Sequence, residues 1–196
     1  MCPKVTSMHK TEVKERIINA AIESFSQTGF DRTKMDDIAK SLDLSKGTLY
    51  LYFESKEDLF MAICEYHHKQ SMVTMATMFN EKESILADAE AIYDNLRRIM
   101  RGTEKLMFEM LVESARNPRL RKAMYDHRLK ICSAIVEQIN MLVEKGFLRK
   151  DLDVEGLASA FVALYDGLTA SKMLGFDEPA NKKAWLAMIR TLVSGD

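Results

Sequence analysis

Four glycines set the outline of this chain. Gly29, Gly102, Gly146 and Gly175 each stand just past an amphipathic stretch. A residue without a Cβ takes up the left-handed backbone that ends a helix at little steric cost. Phe30, Phe147 and Phe176 follow three of these glycines, where an apolar contact closes the last turn. The starts are marked as well. Thr33-Lys-Met-Asp36 and Ser55-Lys-Glu-Asp58 have the spacing of capping boxes, with Asp in place of Glu. Asn117-Pro118 sets an amide cap before a first-turn proline, and Glu178-Pro179 repeats the pattern less fully. Only three prolines occur in 196 residues, so little interrupts the stretches between these marks. Val13, Ile17, Ala21 and Phe25 recur every four residues, and Leu129, Cys132, Val136, Ile139 and Val143 at steps of three and four. The spacing predicts an all-α protein, with helices near 10–28, 34–41, 46–52, 56–80, 83–101, 104–115, 118–145, 153–174 and 179–194.

The pattern changes near residue 55. Before it, three helices fit into little more than forty residues; after it, the helices are long enough to line a bundle. The expected organisation is a small head, residues 1–55, on a helical body, residues 56–196. Hydrophobic residues at 47% and charged residues at 29% fit a folded chain rather than a disordered one. No apolar run reaches the ~20 residues of a membrane span, and MCPKVTSMHK has no apolar signal core, so a cytoplasmic protein without a membrane partner is expected. Cys2, Cys64 and Cys132 are odd in number and widely spaced, which favours reduced thiols over a disulfide framework. No Gly-rich phosphate loop, nucleophile elbow or His-Glu-x-x-His motif occurs, so neither an enzyme nor a cofactor is expected.

Residues 34–52 read as helix, tight turn and short helix. Ile38, Ala39, Leu49 and Phe53 are placed to join Ile17, Ile18 and Phe25 in a three-helix core. Ser45 is a good N-cap, with Lys46, Gly47 and Thr48 in the first turn that follows. Free backbone amides and a close approach at Gly47 suit a phosphate there. Tyr50 and Tyr52 offer phenol groups, and Lys56 a charge. Net charge argues the other way. The first 60 residues hold nine Lys/Arg against ten Asp/Glu, so any DNA binding must come from placement of charge rather than excess.

The runs Gly29-Phe-Asp-Arg-Thr33-Lys-Met-Asp-Asp-Ile38-Ala39 and Leu44-Ser-Lys-Gly-Thr-Leu-Tyr50-Leu-Tyr-Phe-Glu-Ser55-Lys-Glu-Asp-Leu59 resemble the DNA-binding signature of the tetracycline-repressor (TetR) family. The resemblance covers about a quarter of the chain. It implies a homodimeric regulator that binds double-stranded operator DNA through a helix-turn-helix and answers to a small molecule. It implies that Thr33 caps the second helix and touches phosphate, with Lys34 beside it. Ser45 to Tyr52 would enter the major groove, and Tyr50 and Lys56 would touch the DNA backbone. Lys46, Thr48, Leu51 and Tyr52 are the candidates for base edges. Lys4 and Lys10 are candidates for a basic arm. The family's usual turn glycine is replaced by Asp43, which tolerates left-handed backbone better than most residues.

In the body, Gly156, Ala160, Ala163, Gly167 and Ala170 form a stripe of small residues that admits a second helix closely. Trp185, Met188, Ile189 and Leu192 give the final helix an apolar face. The resemblance implies that these two helices pair with their symmetry mates, which makes the operator a palindrome. No motif marks the sensing site. Met100, Met107, Phe108, Met110, Leu111, Tyr125, Phe161 and Tyr165 are the candidate lining, and their apolar character points to a hydrophobic effector. Ordinary core packing explains the same residues. Two other readings stay open on the residues alone: a DNA-binding protein with no effector, and a metal site around Cys64, His67 and His68.

Overall fold

The computed structural model describes residues 7–193, with side chains from residue 10 onward. Its regular structure is helical, with no strand among the described residues. The helices are α1 (Ser7–Thr28), α2 (Met35–Ser41), α3 (Lys46–Tyr50), α4 (Lys56–Met75), α5 (Ile85–Ile99), α6 (Glu104–Ser114), α7 (Pro118–Glu144), α8 (Val154–Met173) and α9 (Glu178–Val193), with a 3-10 turn at Lys82–Ser84.

The four punctuating glycines all have positive φ, between 72° and 94°. Behind Gly146, the Phe147 amide reaches back to the Leu142 carbonyl at 2.9 Å, closing the last turn of α7. Three expected caps are in place. Ser45 Oγ accepts from the Thr48 amide at 3.0 Å, Ser55 Oγ from Asp58 at 3.1 Å, and Asn117 Oδ1 from Leu120 at 3.0 Å. Two starts differ. Lys34 stands at the N-cap of α2 with no side-chain cap bond, and Thr33 turns back onto α1 instead. At α9, Asp177 Oδ1 takes the Ala180 amide at 2.7 Å, which leaves Glu178 for a different partner. The end of α4 also differs from expectation. It stops at Met75, and the chain turns at Phe79, whose φ of 62° is left-handed without being glycine. Asp88 accepts the Phe79 amide at 2.8 Å and Lys145 donates to its carbonyl at 3.0 Å, so the surroundings hold that conformation.

Packing divides the chain into two compact units, Met1–Tyr66 with Arg101–Met124, and His67–Met100 with Tyr125–Asp196. The change in helix length near residue 55 is therefore not where the packing divides. In the first unit, Val13, Ile17, Ala21 and Phe25 of α1 are all buried, together with Ile38, Leu49, Phe53, Leu59 and Phe60. Leu106 and Met110 of α6 complete that core. In the second unit, Ile85, Ala89, Ile92 and Tyr93 of α5 pack with Leu168 of α8 and Trp185 and Ile189 of α9.

A buried polar cluster ties the second unit together. The Arg97 guanidinium bonds both oxygens of Glu178 and, at 3.1 Å, Thr169 Oγ1. Tyr93 donates to Glu178 Oε1 at 3.3 Å. The guanidinium beside Glu178 holds that carboxyl below its ordinary range, while burial pushes the Tyr93 phenol up to about 12.

Candidate nucleic-acid interface

The geometry of the head follows from one turn. Asp43 has a φ of 55°, the Leu44 amide returns to Ala39 O at 2.9 Å, and the Asp43 amide to Lys40 O at 3.1 Å. That pair of bonds ends α2 and lets α3 begin two residues later at the Ser45 cap. Leu49 is fully buried on the inner side of α3, and Phe53 is buried just beyond it. The helix is thereby fixed by its apolar side. Lys46, Gly47, Tyr50 and Leu51 are exposed on the outer side.

The expected DNA-contacting residues fall into two groups. Lys34, Ser45, Lys46, Gly47, Tyr50 and Leu51 are exposed and share the surface around α2 and α3. Lys46 Nζ pairs with Asp36 at 3.0 Å and lies 5.9 Å from the centre of the Tyr50 ring. The nearby Asp36 carboxylate raises the Lys46 pKa. Thr48, half-buried, shares a 2.8 Å hydroxyl bond with Ser45. The second group is turned inward. Thr33 is only 4% exposed and donates to the Gly29 carbonyl at 2.8 Å. Tyr52 packs against the head core. Lys56 donates to the carbonyls of Phe30 and Asp31 at 2.8 and 3.3 Å, and its ammonium lies 4.5 Å from the centre of the Phe30 ring. These three side chains hold the frame in which α2 and α3 sit, a use that residue type and spacing do not announce. Glu109 of α6 also belongs to that frame, accepting the Phe30 amide at 3.1 Å. The sequence reading missed it, because 79 residues separate the partners. Lys10 lies within α1 rather than in an arm, and Lys4 lies outside the described residues.

A profile described as "Bacterial regulatory proteins, tetR family" matches residues 17–63, the segment that holds this turn. A second, "BetI-type transcriptional repressor, C-terminal", matches residues 89–195, more than half of the chain. The chain belongs to the TetR family of transcriptional regulators. The HTH-type transcriptional regulator YfiR of Bacillus subtilis is 28% identical, over 91% of this chain and 88% of its own length. UidR of Escherichia coli is 25% identical, over 93% and 91% respectively. Among solved structures, Salmonella enterica GusR superposes with a TM-score of 0.73 at 25% identity, covering 98% of this chain and 100% of its own. A regulator from Rhodococcus sp. reaches a TM-score of 0.78 over 94% of this chain and 100% of its own, at 17% identity, and shares the fold. This TetR-family protein is thus a DNA-binding regulator of transcription and not an enzyme.

The body residues of this regulator are placed unevenly. Gly156, Ala160, Ala163 and Gly167 of α8 are exposed, and Ala170 is half-buried. A Cβ built on Gly167 meets nothing within 4 Å. Met188 and Leu192 are half-buried on α9. Trp185 and Ile189 depart from the expected interface. Trp185 is 6% exposed, its ring centre lies 5.5 Å from that of Phe161, and its indole donates to the Ala89 carbonyl at 2.9 Å. An indole N–H buried among apolar groups needs such a partner, and α5 supplies it inside the protomer.

The eight expected pocket residues divide between the two packing units. Met107, Phe108, Met110 and Leu111 belong to the first unit, and Met100, Tyr125, Phe161 and Tyr165 to the second. Met110 is fully buried in the head core, Phe161 and Tyr165 pack around the second core, and Leu111 and Tyr125 are exposed. A cleft of about 250 Å³ in the first unit is lined by Ser55, Glu57, Asp58, Met61, Asn117, Arg119, Leu120 and Ala123, none of them on that roster. The residues considered for a metal have other neighbours. The Cys64 thiol points at Met107 Sδ, 3.8 Å away, with burial pushing its pKa up to about 12, and the His68 ring meets His127 edge to face. No group of three or more potential ligands comes together among the described residues.

Proposed function

We propose that this TetR-family regulator is a homodimer that occupies a palindromic operator with α3 in the major groove, represses transcription there, and is released by a small hydrophobic molecule held in residues 56–196. The observation that carries the DNA-binding part is the two-sided character of α3. Leu49 anchors one side in the head core while Tyr50, Leu51, Lys46 and Gly47 face solvent. A short helix held rigidly by its inner side and bare on its outer side is what groove reading requires. In this reading Tyr50, Lys46 and Lys34 approach phosphates, which position without specifying. Thr33, Tyr52 and Lys56 act by holding the frame.

The small-residue stripe of α8 supports the dimer. It is exposed in the single chain and admits a helix at short range. Release follows from linkage: an effector shifts the protein between geometries only through its difference in affinity for them. The helix α4 belongs to one packing unit up to Tyr66 and to the other from His67, so it is the natural carrier of that shift. No helix among the described residues is long and apolar enough to cross a membrane, which fits a cytoplasmic site of action.

The test is a nuclease footprint of the full-length protein on DNA flanking its own gene, with sedimentation of the same sample. The expected result is a protected site with two-fold symmetry and a dimer. A monomer that protects no DNA at low salt would overturn the reading. Ligand density in protein purified from its host would identify the effector, and a well-packed body that binds no apolar probe would favour regulation without one.

A further inference from the structure

Leu51 is the most exposed large hydrophobic residue among the described ones, at 83%. It closes α3 in helical conformation, with φ −71° and ψ −21°, and its amide is bonded to Gly47 O and Thr48 O at 3.2 Å. The backbone beneath this side chain is therefore fixed. At about 100° per residue, Leu51 stands about 200° round from both Leu49 and Phe53, the two buried anchors. It points away from the core because they point into it.

Three of the other side chains on this surface are already engaged. Ser45 and Thr48 bond each other, and Lys46 is paired with Asp36. Gly47, one turn before Leu51 on the same side, offers open space: a Cβ there meets only Ser45 Oγ, at 3.9 Å. The outer face of α3 thus presents an apolar knob beside a flat backbone patch, next to the Tyr50 phenol. An exposed leucine is unfavourable in water and gains from whatever covers it. In the major groove one base carries an apolar group, the C5-methyl of thymine.

We infer that Leu51 is a specificity-determining residue that covers a thymine methyl in each operator half-site, with the neighbouring DNA backbone drawn close over Gly47. This rests on the operator-binding reading above. A leucine makes no hydrogen bond, so the contact selects thymine by its methyl and not by its carbonyl. It predicts an operator in which one thymine per half-site matters through a single carbon atom.

The experiment selects preferred duplexes for the full-length protein from a random-sequence pool. Each thymine of the selected site is then replaced in turn by deoxyuridine, which removes the methyl and keeps every hydrogen-bonding group. At one symmetric pair of positions, replacement is expected to weaken binding about fourfold per half-site, the scale of one buried methyl. Leu51→Ala, at an exposed position and checked for unchanged helix content, is expected to bind the thymine and deoxyuridine duplexes equally. A wild type indifferent to every replacement overturns the inference while leaving operator binding intact. So does a Leu51→Ala protein that keeps the full preference for thymine. A wild type that enriches no sequence overturns both this inference and the operator reading.

Discussion

Lys46 shows how a single neighbour tunes a residue on the recognition surface. Its ammonium pairs with Asp36, on the preceding helix, and in the proposed docking that carboxylate competes for it with a DNA phosphate. Exposed ion pairs are weak in water, so on the proposed docking Asp36 would cost DNA affinity without contributing much to the fold. Asp36→Asn is expected to tighten DNA binding several-fold at low salt, and Lys46→Ala to flatten the salt dependence by about one ion per half-site. Salt titrations of the two variants check this, and parallel slopes for wild type and Lys46→Ala would remove Lys46 from the phosphate contacts. His67 makes a different kind of prediction. Burial lowers its pKa to about 4, against 6.5 in the unfolded chain. The folded state therefore holds this ring neutral where the unfolded state takes up a proton. Stability is fully present above pH 6.5 and falls as the pH drops from there toward 4, by about 3 kcal/mol over the whole window. His67→Gln should lose that slope in urea denaturation at pH 7.5, 6 and 5. An unchanged slope would place the acid sensitivity in another group.

At the level of helices, the second unit is held by a polar cluster that amphipathic spacing conceals. Arg97 on α5 meets Glu178 at the start of α9, with Thr169 of α8 on the guanidinium. The two partners are not equivalent. Arg97 is buried, whereas the Glu178 side chain is 40% exposed. Removing the acid strands a buried cation; removing the cation leaves an acid that reaches water. Glu178→Ala should therefore destabilise by about 2 kcal/mol, and Arg97→Met by less, since methionine refills an apolar surround. Urea midpoints for the pair check the order, and equal losses would mean that the cluster gives no more than a surface ion pair. Because its carboxyl is held low, Glu178 contributes stability above the ordinary carboxylate pKa of 4.5, lost as the pH falls below it. Legibility followed distance along the chain here. Ser45, Ser55 and Asn117 were readable as caps because donor and acceptor are three residues apart. Thr33 and Glu178 were misread as helix caps. The Thr33 hydroxyl turned back to Gly29, four residues before it, while the Glu178 carboxylate was drawn off by Arg97, 81 residues away.

For the molecule as a whole, the exposed stripe on α8 gives the clearest test of assembly. Gly167 has open space where a side chain would stand, so the protomer tolerates one there. Gly167→Lys should keep its helix content yet sediment as a monomer and bind operator DNA far more weakly, because each half-site must then bind alone. A variant that stays dimeric would move the interface off this stripe. The sequence by itself determined the helices, most of their ends and the turn between α2 and α3. Those depend on backbone strain and on hydrogen bonds that close within a turn, so Gly29, Asp43 and Ser45 carry the information locally. Whether an apolar or basic side chain of a helix serves its own protomer or an outside partner was decided by the tertiary structure. Trp185 lies in the core because α5 brought the Ala89 carbonyl to its indole, and Lys56 is a strut because the loop at Phe30 and Asp31 lies within its reach. Spacing along one helix shows that a face exists; only the neighbouring helices assign it to the core or to a partner.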